Sequence, residues 1–228
     1  MAAKTFTDEH HGETTGERTL RRIRFDIMQG TLVPGQKLRL DRLRETYDTS
    51  VTTLREILNR LVVEGFVIAE GQRGFEVSPV SMADLHDISE LRLLLERHAL
   101  RRSIAAGDLE WEARVVSAYH KLHSVETRLM AGEEVPVSAW VQYDWDFHHA
   151  TISACDSPAL MASHSNAFDR YMRYHLLALS FRGPDVARQH ETLRDLVMAR
   201  DVAGAEVLLT DHITVGREHV AQSGRFDG

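Results

Sequence analysis

After Pro79 this 228-residue chain has no segment whose apolar residues alternate as a strand requires; all of them recur at helical spacing. The runs cover 82–106, 109–131, 137–154, 158–182, 185–200 and 203–222. Turn signals separate them at Gly107-Asp108, from Gly132 to Pro136, at Asp156-Ser157-Pro158, at Gly183-Pro184 and from Asp201 to Gly204. A helix of this kind cannot cover its own apolar stripe, and links this short make neighbours run antiparallel. For residues 80–228 the expectation is therefore an antiparallel bundle of about six helices.

Residues 18–79 follow another pattern. From Thr19 the run LRRIRFDIMQG puts Leu20, Ile23, Ile27 and Met28 on one face and stops at Gly30. Pro34-Gly35 marks a turn, and a short helix spans about Asp41–Tyr47. Thr49-Ser50 then offers an N-cap to VTTLREILNRLVVEG, whose stripe is Leu54, Ile57, Leu58 and Leu61 and whose stop is Gly65. FVIAE and GFEVSP, split by Gly71-Gln72-Arg73-Gly74, read as a hairpin. Three helices and a two-stranded wing make a winged helix-turn-helix, so the whole chain is expected to be mostly α. The segment 1–17 reads as a polar, disordered arm.

Charge supports a polyanionic partner for the first unit. Residues 18–79 carry eleven Lys and Arg against eight Asp and Glu, within a chain of net charge −7. In a helix-turn-helix the first turn of the second helix faces the DNA major groove. Ser50, Thr52, Thr53 and Arg55 occupy that turn; hydroxyls bind phosphates or base edges, and Arg55 suits a phosphate or a guanine. Arg73, at the wing tip, can reach the minor groove or the backbone. The alternative is that Ser50 and Thr52 only cap the helix while Arg55 pairs with a neighbouring Glu.

The stretch GTLVPGQKL…LRETYDTSVTTLREILNRLVVEGFVIAEGQRGFEV resembles the N-terminal domain of GntR-family transcriptional regulators. The resemblance covers residues 20–80 and implies DNA contacts at Ser50, Thr52, Arg55, Arg73 and Gly74. Two features depart from the family pattern: Val51 stands where an Arg normally follows the Ser, and Asp41-Arg42 occupies a region that often touches DNA. A missing base-reading Arg alters the operator, since one such contact carries ~1–3 kcal/mol of discrimination.

In the bundle, the run YDWDFHHA (143–150) concentrates carboxylates and imidazoles. Helical spacing places Trp140, Asp144, Phe147, His148 and Thr151 on one face, and Gln142, Asp146, His149 and Ser153 on a wetter one. Asp144 and His148, one turn apart, can grip one metal ion; Asp146 and His149 are expected to be solvated. His190 and His212 each sit among apolar residues of later helices. Either one alone is more simply a core histidine; together with the Asp144/His148 pair they complete an Asp/His₃ set suited to Zn²⁺, Ni²⁺ or Mn²⁺. Arg92 lies on the inward stripe of Leu85, Ile88, Leu95 and Ala99. It either binds an effector carboxylate or forms an i, i+4 ion pair with Glu96. Arg170, Tyr171, Arg173 and His175 are further cavity candidates.

Residues 82–220 resemble the FCD effector domain of the FadR subfamily of GntR regulators. The motifs are ELRLLLE (90–96), DWDFH (144–148) and QHETLRDLVMARDVAGAEVLLTDHI (189–213). The resemblance implies a six- or seven-helix bundle and a divalent metal, Zn²⁺ first, held by Asp144, His148, His190 and His212, with a small carboxylate effector beside it.

Cys155 is the sole cysteine, so no intrachain disulfide forms, and the chain shows neither an apolar leader core nor a membrane-length apolar run. These features fit a cytoplasmic protein. The leading expectation is a homodimeric, DNA-binding repressor controlled by an organic acid at the metal site. Two alternatives stand beside it: a metal-dependent hydrolase, which lacks an HExxH-like base, and a regulator that senses the metal itself.

Overall fold

The computed structural model describes residues 14–69, 71, 74–178 and 181–226. It is mostly helical and divides into two compact units, Met1–Val80 and Ser81–Gly228.

The first unit runs α1 (Thr15–Met28), β1 (Lys37–Leu38), α2 (Leu40–Tyr47), α3 (Val51–Val63), β2 (Val67–Ala69) and β3 (Phe75–Val77). Leu20, Ile23, Ile27 and Met28 are buried against Leu54, Ile57, Leu58 and Leu61, the two stripes read from the sequence. α1 begins at Thr15, inside the segment expected to be a disordered arm. The Thr14 hydroxyl accepts from the Glu17 backbone N–H at 3.2 Å, and the Glu17 carboxylate takes the Thr14 N–H at 2.9 Å. That reciprocal cap satisfies two helix-end donors and fixes the start four residues before Thr19. The rest of that arm, residues 1–13, lies outside the described residues.

The sheet also differs from a two-stranded hairpin. Lys37–Leu38 pairs with β3, giving three antiparallel strands in the order β1-β3-β2. Gly35, at φ 77°, turns the chain into β1; it holds the left-handed conformation that L side chains rarely adopt. Between α2 and α3 the turn passes through Asp48 at φ 47°. Tyr47 donates to Asp26 Oδ2 at 2.6 Å and so ties α2 to α1.

The second unit contains α4 (Met82–Ala106), α5 (Leu109–Met130), α6 (Val137–Ile152), α7 (Pro158–Ala178), α8 (Pro184–Met198) and α9 (Val202–Ala221). Ser81, Asp108 and Asp201 cap α4, α5 and α9, each accepting a backbone N–H three residues on. α4 packs on α6, α7 and α9, while α5 packs on α6 and α8. The expected ends of α6, α8 and α9 ran one or two residues too far, a usual error where last turns fray; the described part of α7 ends at Ala178, and Leu179 and Ser180 lie outside the described residues. None of the described helices is long and apolar enough to cross a membrane.

Candidate functional site

The inward face of α6 is the one the helical period indicates: Trp140, Asp144, Phe147, His148 and Thr151 are all buried. α8 brings His190 and α9 brings His212 to the same place, both buried. One ligand atom from each of Asp144, His148, His190 and His212 lies within 4.8 Å of the others. Asp144 Oδ1 stands 3.1 Å from His190 Nε2 and 4.0 Å from His148 Nε2. Both Nε2 atoms are fully buried and lack a well-directed hydrogen bond. A convergent carboxylate and three imidazoles, two of them with orphaned inward nitrogens, fit a divalent cation.

The outward nitrogens are held. His148 Nδ1 meets Glu96 Oε1 at 2.5 Å, and His190 Nδ1 meets Glu126 Oε1 at 2.7 Å. His212 Nδ1 lies 3.2 Å from Gln189 Oε1 and 3.2 Å from Arg182 Nη2. Partners of this type fix the ring orientation and keep Nε2 available as a ligand. Sequence reading missed Glu126, Gln189 and Arg182, and it saw Glu96 only as a rival partner for Arg92. The signal for Glu126 was present: it extends the stripe Trp111, Val115, Ala118, Leu122, and a carboxylate at a core position needs a partner.

Charge in the cluster is polarised. Burial alone lowers the pKa of His190, but the Glu126 carboxylate, then Asp144, outweigh it and push the value up to about 9. Burial raises that of Asp144, yet the close approach of His190 and the charges of His148, His190 and Arg92 bring it down to about 2. His212 is driven well below the usual range by burial and by the Arg182 charge.

Arg92 forms the i, i+4 ion pair with Glu96 that one of its two readings expected. Its side chain is 1% exposed, its Nε donates to Glu96 Oε2 at 2.9 Å, and its Nη2 is buried without a hydrogen-bond partner. The guanidinium carbon sits 4.2 Å from the Phe168 ring centroid and 4.6 Å from that of Tyr171. Glu96 Oε2 also meets His164 Nε2 at 3.0 Å, so one carboxylate joins Arg92, His148 and His164. Tyr171 is thus at the site, with the His175 ring 4.8 Å away. Arg170 is not: it bonds Asp84, which also accepts from Tyr174. The charges that act on Arg173 are those of Tyr174, Asp84 and Arg170.

Asp146 and His149 stay out of the cluster but are not solvated as expected. Both are half-buried: Gln142 donates to Asp146 at 2.9 Å, and His149 stacks on Trp145 at 4.5 Å.

In the first unit Ser50, Thr52 and Arg55 are exposed on the first turn of α3, and Thr53 is half-buried. Ser50 caps the helix, taking the Thr53 N–H at 3.1 Å, as the capping alternative holds. Arg55 makes no ion pair among the described residues, contrary to that alternative. Gly74, at φ 100°, leads into β3; Arg73 lies outside the described residues.

Comparison with known proteins agrees with these two halves. Residues 87–215 match the FCD domain family, and residues 15–77 match the bacterial regulatory proteins of the gntR family. The HTH-type transcriptional regulator BphR of Paraburkholderia xenovorans is 39% identical over 91% of this chain and 86% of its own length. The HTH-type transcriptional repressor GlaR of Escherichia coli K12 is 33% identical over 85% of this chain and 90% of its own. Among solved structures, E. coli McbR/YncC superposes with a TM-score of 0.77 at 19% identity, over 93% of this chain and 100% of that one. A GntR regulator from Rhodococcus sp. RHA1 gives 0.73 at 21% identity, over 91% and 97%. A winged helix-turn-helix followed by an FCD bundle, with relatives this similar along nearly the whole chain, places it in the GntR family of bacterial transcriptional regulators.

Proposed function

We propose that this chain is a transcriptional repressor whose operator affinity is set by a small organic acid bound beside a divalent metal ion in the helical unit. The observation that carries this reading is the Asp144, His148, His190 and His212 cluster, with the inward nitrogens of His148 and His190 orphaned and the outward ones of all three rings held by Glu96, Glu126 and Gln189. Zn²⁺ is the first candidate, with Ni²⁺ and Mn²⁺ as alternatives, because neutral imidazoles and one carboxylate suit all three. Bound there, the ion supplies open positions for an oxygen ligand. Arg92 is the counter-ion: its Nη2 has a charge-assisted hydrogen bond to give and no acceptor among the described residues.

DNA is read by Ser50, Thr52, Thr53 and Arg55 from α3, with Arg73 and Gly74 contributing from the wing. The protein acts as a homodimer on a near-palindromic site, since one recognition helix spans only a few base pairs. Repression rather than activation follows the repressor GlaR, whose likeness to this chain covers both units. For a tenfold change in operator affinity the acid needs to favour one state by only ~1.4 kcal/mol.

The test is an operator mobility shift with metal-loaded and chelated protein, across a panel of small organic acids. Release of DNA by an acid only when the metal is present supports the reading. An operator affinity indifferent to every acid, but varying with metal alone, makes the ion itself the signal and overturns the effector role.

A further inference from the structure

A second cation overlooks the cluster, from the connection between α7 and α8. Arg182 gives Nη1 to Gln189 Oε1 at 3.1 Å and places Nη2 3.2 Å from His212 Nδ1. Its charge acts on Tyr171, Asp144 and Arg92, the groups that line the site.

The two contacts at His212 cannot coexist in one tautomer. To accept from Arg182, Nδ1 must be bare, and the ring proton then sits on Nε2. To present Nε2 to a metal, the neutral ring must carry its proton on Nδ1, which then donates to Gln189 Oε1. In that form an N–H of Arg182 faces an N–H of His212, and Nη2 is left without its acceptor. Arg92 Nη2 already has none, although it is fully buried. Two guanidinium groups thus stand beside the same four ligands: Arg92 from α4 with an unmatched donor, and Arg182 from the α7–α8 connection with a donor that the metal-presenting tautomer of His212 would free.

We propose that the effector is a dicarboxylate, with one carboxylate on Arg92 and the second on Arg182, so that Arg182 sets selectivity against monocarboxylates. The inference rests on the carboxylate-effector reading above and narrows it. Arg donates in a fixed fork that matches a carboxylate, and one charge-assisted hydrogen bond discriminates by about tenfold to a hundredfold.

Calorimetry on the metal-loaded protein tests it, with straight-chain dicarboxylates of four to six carbons against monocarboxylates of the same length. The wild-type protein should prefer its best dicarboxylate over the matched monoacid by at least about tenfold. In Arg182→Gln that ratio should fall to near one, and Arg182→Lys, which keeps charge but not the fork, should retain part of it. The ratio is internal to each variant, so a partial loss of bound metal cancels; elemental analysis of each variant confirms loading. Binding of both series with a wild-type ratio near one overturns the second contact and leaves the carboxylate reading standing. So does a preference that survives intact in Arg182→Gln. If neither series binds the loaded protein, the carboxylate reading falls and this inference falls with it.

Discussion

Gly216, inside α9, sets a limit on the site that a single methyl group can probe. A Cβ built there lies 2.3 Å from the Tyr171 hydroxyl oxygen, where ordinary contact begins near 3.4 Å, so Gly216→Ala overlaps by about 1.1 Å. Tyr171 has little room to yield: its hydroxyl donates to the Ile213 carbonyl at 3.2 Å, and its ring lies between Arg92 and His175. Overpacking of this kind costs about 1–3 kcal/mol, while Ala in place of Gly within a helix returns about 1 kcal/mol. The net change is therefore ~0–2 kcal/mol, a Tm drop of at most about 8 °C for a chain of this size. A single melting curve cannot separate the two effects, but a double-mutant cycle can. Tyr171→Phe removes the clashing atom and costs only its hydrogen bond, about 0.5–1.5 kcal/mol. In the Tyr171→Phe background Gly216→Ala should become neutral or stabilising, a coupling of ~1–3 kcal/mol. The same single variant should weaken carboxylate binding, because Tyr171 stacks on Arg92. Additive melting shifts across the four proteins would falsify the packing argument.

Three further outcomes are expected. His190→Ala and His212→Ala should lower bound metal and thermal stability together, since a ligand of the native state alone stabilises by mass action, whereas His149→Ala should do neither; equal metal in all three by elemental analysis rejects the ligand set. Metal-free protein should lose stability as pH rises from about 6.5 to 9: the folded-state pKa of His190 is raised to about 9, so its contribution is full below the unfolded value and fades through the folded one. Apparent metal affinity should climb over the same window as that proton becomes easier to displace, and a chelator competition flat in pH contradicts this. Arg55→Ala should weaken operator binding by ~1–3 kcal/mol with no change in melting, because the side chain is exposed and unpaired; wild-type affinity in that variant removes α3 as the reading helix.

What the sequence disclosed depended on how local each cause was. α4 to α9 were legible because each repeats its apolar stripe over several turns and most open on a capping Ser or Asp, both of which are chain-local signals. β1 was not: at two residues it has no period, and only pairing with β3 from nearly forty residues later makes it a strand. The Thr14 and Glu17 cap was visible as T-x-x-E, but the acidic, polar composition around it suggested disorder instead. Asp144 and His148 were found because both lie on one face of one helix. Glu96 and Glu126 lie 52 and 64 residues from the histidines they hold, so only the folded bundle pairs them.

Arg92 shows why two readings set against each other in one dimension can both hold in three. A guanidinium carries five donors in a planar fork. Glu96 satisfies Nε, which leaves the neighbouring Nη2 without an acceptor among the described residues. On the proposed function the ion pair positions Nη2 for the effector instead of competing with it, and Glu96 uses its other oxygen to hold His148. A buried Arg paired with one Glu alone is weak evidence for stability, since desolvation cancels much of the attraction. The same pair is economical if its purpose is to hold one imidazole nitrogen and one guanidinium edge toward a common centre. On that account Glu96→Gln should weaken metal and carboxylate binding together, whereas a purely structural ion pair predicts a loss of stability with the two affinities unchanged in the protein that remains folded.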